Sequence, residues 1–300
     1  MRPNWISLSA SPDAVDAAIY TKDLAVIDFV EASGVPQSQI GAIGDGANDI
    51  PFLRIPGLAL AAAPNNAQEG VTQLLSGLPN GILLKGERTK GFLEFHKLAK
   101  SRSLSHIFAD RDGVFEWETD NALMEDVFRV FETMGLEQNP FVFVLTGSSY
   151  EQNISFIEKL RINEAARHNS AVERQPFVVL AENGAVQINV LTLESRNLEQ
   201  IIDTDLLDCL KGAFEQEVIV RLKDTILPRF GLNITDKHND QFEKVLIPPK
   251  RTMLTINVPK WFHDGSDYRR SHVAREFREA VLTIMQEVAV AQELPYRLLC

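Results

Sequence analysis

The chain has 300 residues, 45% of them hydrophobic and 24% charged, with a formal net charge of −11 and a pI of about 5.1. That length fills one large domain, or a core plus a smaller one. The acidic balance argues against a general nucleic-acid or membrane-surface binder, which needs a basic footprint, but not against a small phosphorylated substrate, because a metal ion inverts the field of a cleft locally.

In chain order, the first periodic segment is Lys22 to Ser33, where Leu24, Val26, Ile27 and Val30 predict a helix stopped at Gly34. Short apolar runs at Ile40–Ile43 and Leu58–Ala62 read as buried strands. Gly81 to Lys100 reads as a connector holding one helix around Phe92, Leu93 and Phe95. His106–Ala109, Phe141–Leu145 and Phe177–Ala181 are three more strand-like runs, with helices expected at Leu123–Met134 and Ile154–Leu160. This alternation predicts an α/β fold with a mainly parallel sheet, whose active residues gather beyond the C-terminal strand ends. From about Leu193 the character changes. Asp236 to Lys250 reads as a polar loop, and Thr252–Val258 alternates like a half-buried strand. Val273, Phe277, Val281, Ile284 and Val288 mark a long helix, and Pro295–Cys300 reads as a last strand, together a small α+β domain.

The two cysteines, Cys209 and Cys300, stand far apart without a CxxC, so neither a zinc site nor a disulfide is expected. No leader-like apolar stretch opens the chain and no run reaches the length of a membrane span. A cytoplasmic protein is the expectation.

Four pieces carry chemistry. Asp110-Arg111-Asp112-Gly113 follows a strand, and alternate residues of extended chain point the same way, so Asp110 and Asp112 face one site. One carboxylate there can attack phosphorus and the second can move the proton of the leaving oxygen. Thr146 and Gly147 end the next strand, where a hydroxyl and free N–H groups can hold phosphate oxygens. Gly44-Asp45-Gly46-Ala47-Asn48-Asp49 offers Asp45 as a further oxygen ligand of a cation, with Asn48 and Asp49 positioning it or its waters. Lys22 can offset the repulsion between a nucleophilic carboxylate and a phosphate dianion. Taken singly, each piece also reads as an ordinary turn or a solvated charge.

In combination these pieces resemble the four motifs of the haloacid dehalogenase (HAD) superfamily: Asp110 and Asp112 the first, Thr146 the second, Lys22 the third, and Asp45 with Asn48 and Asp49 the fourth. The likeness is nearest to Cof-type sugar phosphatases, which carry a lid between the second and third motifs. Ala181-Glu182-Asn183-Gly184-Ala185 resembles their ENGA strand end, and Pro56–Ala61 with Asn66-Ala67 resembles their segment after the fourth motif. The resemblance implies a Rossmann-like parallel-sheet core with a smaller α+β cap and a magnesium-dependent phosphate-monoester hydrolase acting through an aspartyl-phosphate. It also implies Asp110, Asp112, Asp45 and Asp49 around Mg2+, and Thr146, Gly147, Lys22 and Asn48 around the phosphate.

The motifs, however, run in the order three, four, one, two, lid. Two explanations stay open: a circular permutant, with the strands near Trp5–Ala10 and Tyr296–Cys300 as neighbours in the cap, or a slice of a tandem protein, whose halves pair within one chain or by swapping in a homodimer. The implied division is a cap strand in residues 1–12, core halves at 13–104 and 105–192, and a cap at 193–300. Val114 stands where many relatives have Thr. Phe115 to Glu118 either shape the mouth of the site or simply pack, and Lys250, Arg251, Arg269 and Arg270 are cap cations within the range of an anionic substrate or plain surface charges. A phosphomutase or phosphotransferase on the same fold, and a non-catalytic binding module, are the competing functions; the expected partner is a small phosphorylated metabolite such as a sugar phosphate, with neither nucleic acid nor membrane.

Overall fold

The computed structural model describes residues 5–11, 13–115, 140–166, 177–190, 192–197, 203–232, 244–259, 262 and 271–299, with backbone alone at 159–166. The chain divides into a larger unit, Lys22–Leu198, and a smaller one made of Met1–Thr21 and Glu199–Cys300.

The larger unit is built on an eight-stranded sheet. Its strands are β3 (Ile40–Ile43), β4 (Leu60–Ala63), β5 (Gly81–Leu83), β6 (His106–Asp110), β7 (Phe141–Leu145), β8 (Phe177–Ala181), β9 (Val186–Ile188) and β10 (Ser195–Asn197), in the order β10-β9-β8-β7-β6-β3-β4-β5. The six strands from β8 to β5 are parallel, and β9 and β10 add an antiparallel edge. The continuous apolar runs of β3, β4 and β8 are buried along their whole length, as strands covered on both faces must be. Along β6 the alternation assigns the faces. Ile107 and Ala109 join the core that holds Phe92 and Phe95 of the helix Arg88–Ser101, while Phe108 meets Phe29 of α1 (Lys22–Ser33) and stacks on Phe143 at 4.7 Å. This is the α/β, parallel-dominated architecture that the alternation of runs predicts, and it is consistent with a Rossmann-like core.

The smaller unit holds a four-stranded sheet of β1 (Ile6–Ala10), β2 (Ala14–Ala18), β11 (Met253–Asn257) and β12 (Tyr296–Leu299), in the order β11-β2-β1-β12. The helix His272–Ala291 lies against β1 and β2, burying Phe277, Val281, Met285 and Val288, and the Ser271 hydroxyl caps its start. The first and last strands of the chain are neighbours: β1 runs parallel to β12 with Ile6 opposite Tyr296.

Several expectations change. The first boundary falls between Thr21 and Lys22 rather than at residue 13, because Ala14–Ala18 is a strand hydrogen-bonded on both sides within the smaller sheet. The second falls at Leu198, beyond β10, because that strand completes the larger sheet. The connector from Gly81 contains β5 before its helix. A run of helical segments from Thr204–Cys209 to Leu227–Arg229, with π-type turns at Leu210–Phe214 and Leu222–Ile226, was not predicted. The last part of the expected loop carries a helical turn at 244–246. The expected helix Leu123–Met134 lies outside the described residues, as do Glu116, Trp117, Glu118, Arg269, Arg270 and Cys300.

Candidate functional site

The acidic motifs meet because of strand order. β3 and β6 are adjacent and parallel, with Ile43 opposite Ala109, so the residues that follow each strand emerge side by side. β7 lies on the other side of β6, with Leu145 opposite Asp110, which brings Thr146 to the same edge. Both acidic motifs and Lys22 belong to the larger unit of one chain.

At the centre, Lys22 opens α1 and is buried with its ammonium between two carboxylates, 2.6 Å from Asp110 Oδ1 and 2.6 Å from Asp49 Oδ1. Asp49 is wholly buried, and its other oxygen accepts the backbone N–H groups of Asp45 at 2.9 Å and Gly46 at 3.0 Å. Both oxygens of Asp49 are thus engaged, one fixing the lysine and one folding the Gly44–Gly46 turn over itself. Gly44 is required for this fold: a Cβ there would stand 2.6 Å from the Asp49 side chain. Gly113 is required twice, for its φ of +79° and because a Cβ would fall 2.0 Å from Asp45 Oδ2. The two motifs are therefore in direct contact, the Asp45 carboxylate lying against the glycine that ends the other motif.

Carboxylate oxygens of Asp45, Asp49 and Asp110 lie within 4.8 Å of one another. Asp112 stands outside this cluster. It is 63% exposed, and Arg111 grips both its oxygens from Nη2, at 2.8 and 3.0 Å. The Thr146 hydroxyl donates to Asp112 Oδ2 at 3.3 Å and accepts the Ser148 N–H at 3.0 Å. Sequence reasoning grouped four carboxylates around a metal; the structure gathers three and holds the Asp112 side chain at the rim, because the arginine between the two aspartates captures it. Asn48 is half-buried over the turn, where a Cβ on Gly46 would meet its Oδ1 at 2.5 Å, and Gly147 lies beside Asn183.

The electrostatics follow from burial. Desolvation works against the Lys22 ammonium, but Asp110 and Asp49 outweigh it and raise its pKa, so it stays charged. Burial, then repulsion from Asp49, raises Asp45 to about 7. Burial and then Asp49 also raise Asp110, against the pull of Lys22. Counting formal charges among the described residues, Asp45, Asp49, Asp110 and Asp112 carry four negative charges against the two positive charges of Lys22 and Arg111, which pair with Asp49, Asp110 and Asp112, an excess of two negative charges that one divalent cation neutralises. The donor set fits such an ion: hard carboxylate oxygens, with no hydrogen bond to Asp110 Oδ2 among the described residues.

Three supporting residues were given no role in the sequence reading. Asn66 donates to Gly113 O at 3.0 Å and accepts the Arg88 N–H at 2.7 Å, pinning the end of the aspartate loop. Gln68 ties down the other motif, its N–H donating to Asp45 O at 2.9 Å and its side chain accepting the Ala47 N–H at 3.2 Å. Arg111 is the third, and its only sequence signal is a cation set between two aspartates. Among the described residues no helix is long and apolar enough to cross a membrane. Neither a family model, nor a curated protein, nor a solved structure matches the chain, so the functional reading stands on this geometry.

Proposed function

We propose that the chain is a divalent-metal-dependent phosphate-monoester hydrolase of the HAD type, acting on a small phosphorylated metabolite. The observation that carries this reading is Asp110, seated at a parallel-strand end between Lys22 and the Asp45–Asp49 turn, with one oxygen on the lysine and the other without a protein hydrogen bond among the described residues. A carboxylate so placed is a nucleophile held in one orientation by a fixed cation.

Asp110 Oδ2 attacks phosphorus, the P–O bond to the leaving group breaks, and an aspartyl-phosphate forms. The leaving oxygen takes a proton from Asp112. Asp112, then a carboxylate, takes a proton from water as that water attacks the same phosphorus; the P–O bond to Asp110 breaks, and inorganic phosphate and the free carboxylate result. Lys22 pulls against the rise that burial and Asp49 impose on the Asp110 pKa, and this reading assigns Thr146 and Gly147, at the neighbouring strand end, to the phosphate oxygens. A magnesium ion held by Asp45 and Asp110 would supply neutralising charge for the phosphate oxygens, and Asp49 would set the Asp45 turn beneath it.

The test is phosphate release from a generic aryl phosphate, with and without Mg2+, beside Asp110→Asn. Metal-dependent release that the variant loses supports the reading. Release that survives Asp110→Asn, or none with any divalent metal from a folded chain, contradicts it. Transfer to an added sugar in place of water would make the protein a phosphotransferase using the same nucleophile.

A further inference from the structure

We propose that Arg111 is a positioning residue, whose guanidinium fixes where the Asp112 carboxylate stands at the rim of the site. The inference rests on the hydrolase reading above and adds to it a role for the residue set between the two aspartates of the first motif.

The geometry of Arg111 is determined from three directions. Its Nε and Nη2 both reach Asp112 Oδ1, at 3.1 and 2.8 Å, and Nη2 also reaches Oδ2 at 3.0 Å. Nη2 donates to Ser148 Oγ at 2.7 Å, and Nη1 to Asn153 Oδ1 at 2.8 Å. Asn153 is itself fully buried, and its Nδ2 is committed to Ser149 O at 2.7 Å, which leaves Oδ1 as the atom turned to the arginine. The Arg111 side chain is only 11% exposed, against 63% for that of Asp112. An arginine retained only for solubility would project into water. This one is folded back onto the β7 strand end and the first turn of the helix Tyr150–Ala166.

The consequence lies in Asp112. An aspartate this exposed samples several rotamers unless something holds it. Arg111 on one side and the Thr146 hydroxyl on the other reduce that choice to one orientation. A planar fork is needed to serve Asp112, Ser148 and Asn153 together, which a lysine ammonium cannot do.

The experiment compares kcat/KM for an alkyl phosphate, whose leaving oxygen needs a proton, and an aryl phosphate, whose leaving group departs as an anion. It uses the wild type, Arg111→Met, Arg111→Lys, Asn153→Ala, Asp112→Asn and the Arg111→Met/Asp112→Asn double variant. The expected loss for Arg111→Met is on the order of a hundredfold on the alkyl ester and less than about tenfold on the aryl ester. Arg111→Lys fails to restore it, Asn153→Ala shows a smaller loss with the same ester preference, and the double variant is no worse than Asp112→Asn alone. Equal losses on both esters, or losses that multiply in the double variant, would overturn the proposal and reduce Arg111 to a brace of the fold. Should Arg111→Met not fold, Arg111→Lys and Asn153→Ala carry the same comparison. A wild type inert on both esters overturns the hydrolase reading itself, an outcome separate from any failure confined to the variants.

Discussion

Asp110 and Asp112 stand two residues apart at one strand end, and the fold treats them in opposite ways. Asp110 is buried, salt-bridged to a buried lysine, and raised in pKa by its surroundings. Asp112 is mostly exposed and held by an arginine fork at the rim. On the proposed hydrolase reading, the difference is the one that a nucleophile and a proton carrier require. The first needs a fixed, water-poor position facing phosphorus; the second needs access to water and the freedom to gain and lose a proton. On the same proposal, the buried centre couples stability to function, whereas the rim separates them.

The largest effect expected from breaking this contrast is in the centre. Lys22→Met leaves Asp49 and Asp110 facing each other without their common cation, and removing one partner of a buried pair costs about 3–5 kcal/mol. Urea unfolding of the metal-free variant should show that loss, and Mg2+ should recover part of it by supplying the missing charge. Gly113→Ala comes next. It forces a side chain into a left-handed conformation and against the Asp45 carboxylate, with an expected cost of about 1–3 kcal/mol. Isothermal titration should show weaker Mg2+ binding, because Asp45 must move.

The pH dependence sharpens the same comparison. Asp45 is raised from 3.8 to about 7 in the folded chain. Across that window the folded state holds a proton that the unfolded state has lost, so the stability of the metal-free protein falls as pH rises from 3.8 towards 7. A bound cation must displace that proton, so its apparent affinity rises by up to about tenfold per pH unit below neutrality and levels off above it. Thermal melts and metal titrations on either side of neutrality check both signs. The smallest structural effect belongs to the rim: Asp112→Ala should shift stability by about 1 kcal/mol, because the carboxylate side of the pair is open to water and Arg111 keeps Ser148 and Asn153 as partners, while abolishing turnover of alkyl phosphates. A rim substitution as damaging to folding as Lys22→Met would erase the distinction.

The legible parts of this molecule were those set by local pattern. β3 and β8 were readable as continuous apolar runs because both their faces are covered, and β6 and β7 because they are apolar along most of their length. α1 was readable to its last residue because Gly34, at φ +70°, stops it and donates its N–H to Val30 O. The pairing of Lys22 with Asp110 was anticipated from a motif likeness; the reversed order of the motifs costs nothing, since strand adjacency and not chain order joins them. β2 was missed because Ala-Val-Asp-Ala-Ala carries no strand signal of its own; it is a strand because β1 and β11 hydrogen-bond to its two edges. The capture of Asp112 was missed because it depends on Ser148 and Asn153, which orient Arg111 from another strand end and another helix.

The most direct test of the central claim is a single turnover with a phosphorylated substrate and Mg2+, quenched in acid and mapped by mass spectrometry. A phosphoryl group on the peptide carrying Asp110, absent from Asp110→Asn and accumulating in Asp112→Asn, is the predicted result. Turnover with no phosphorylated intermediate on Asp110, or with the phosphoryl group on another residue, would contradict the account.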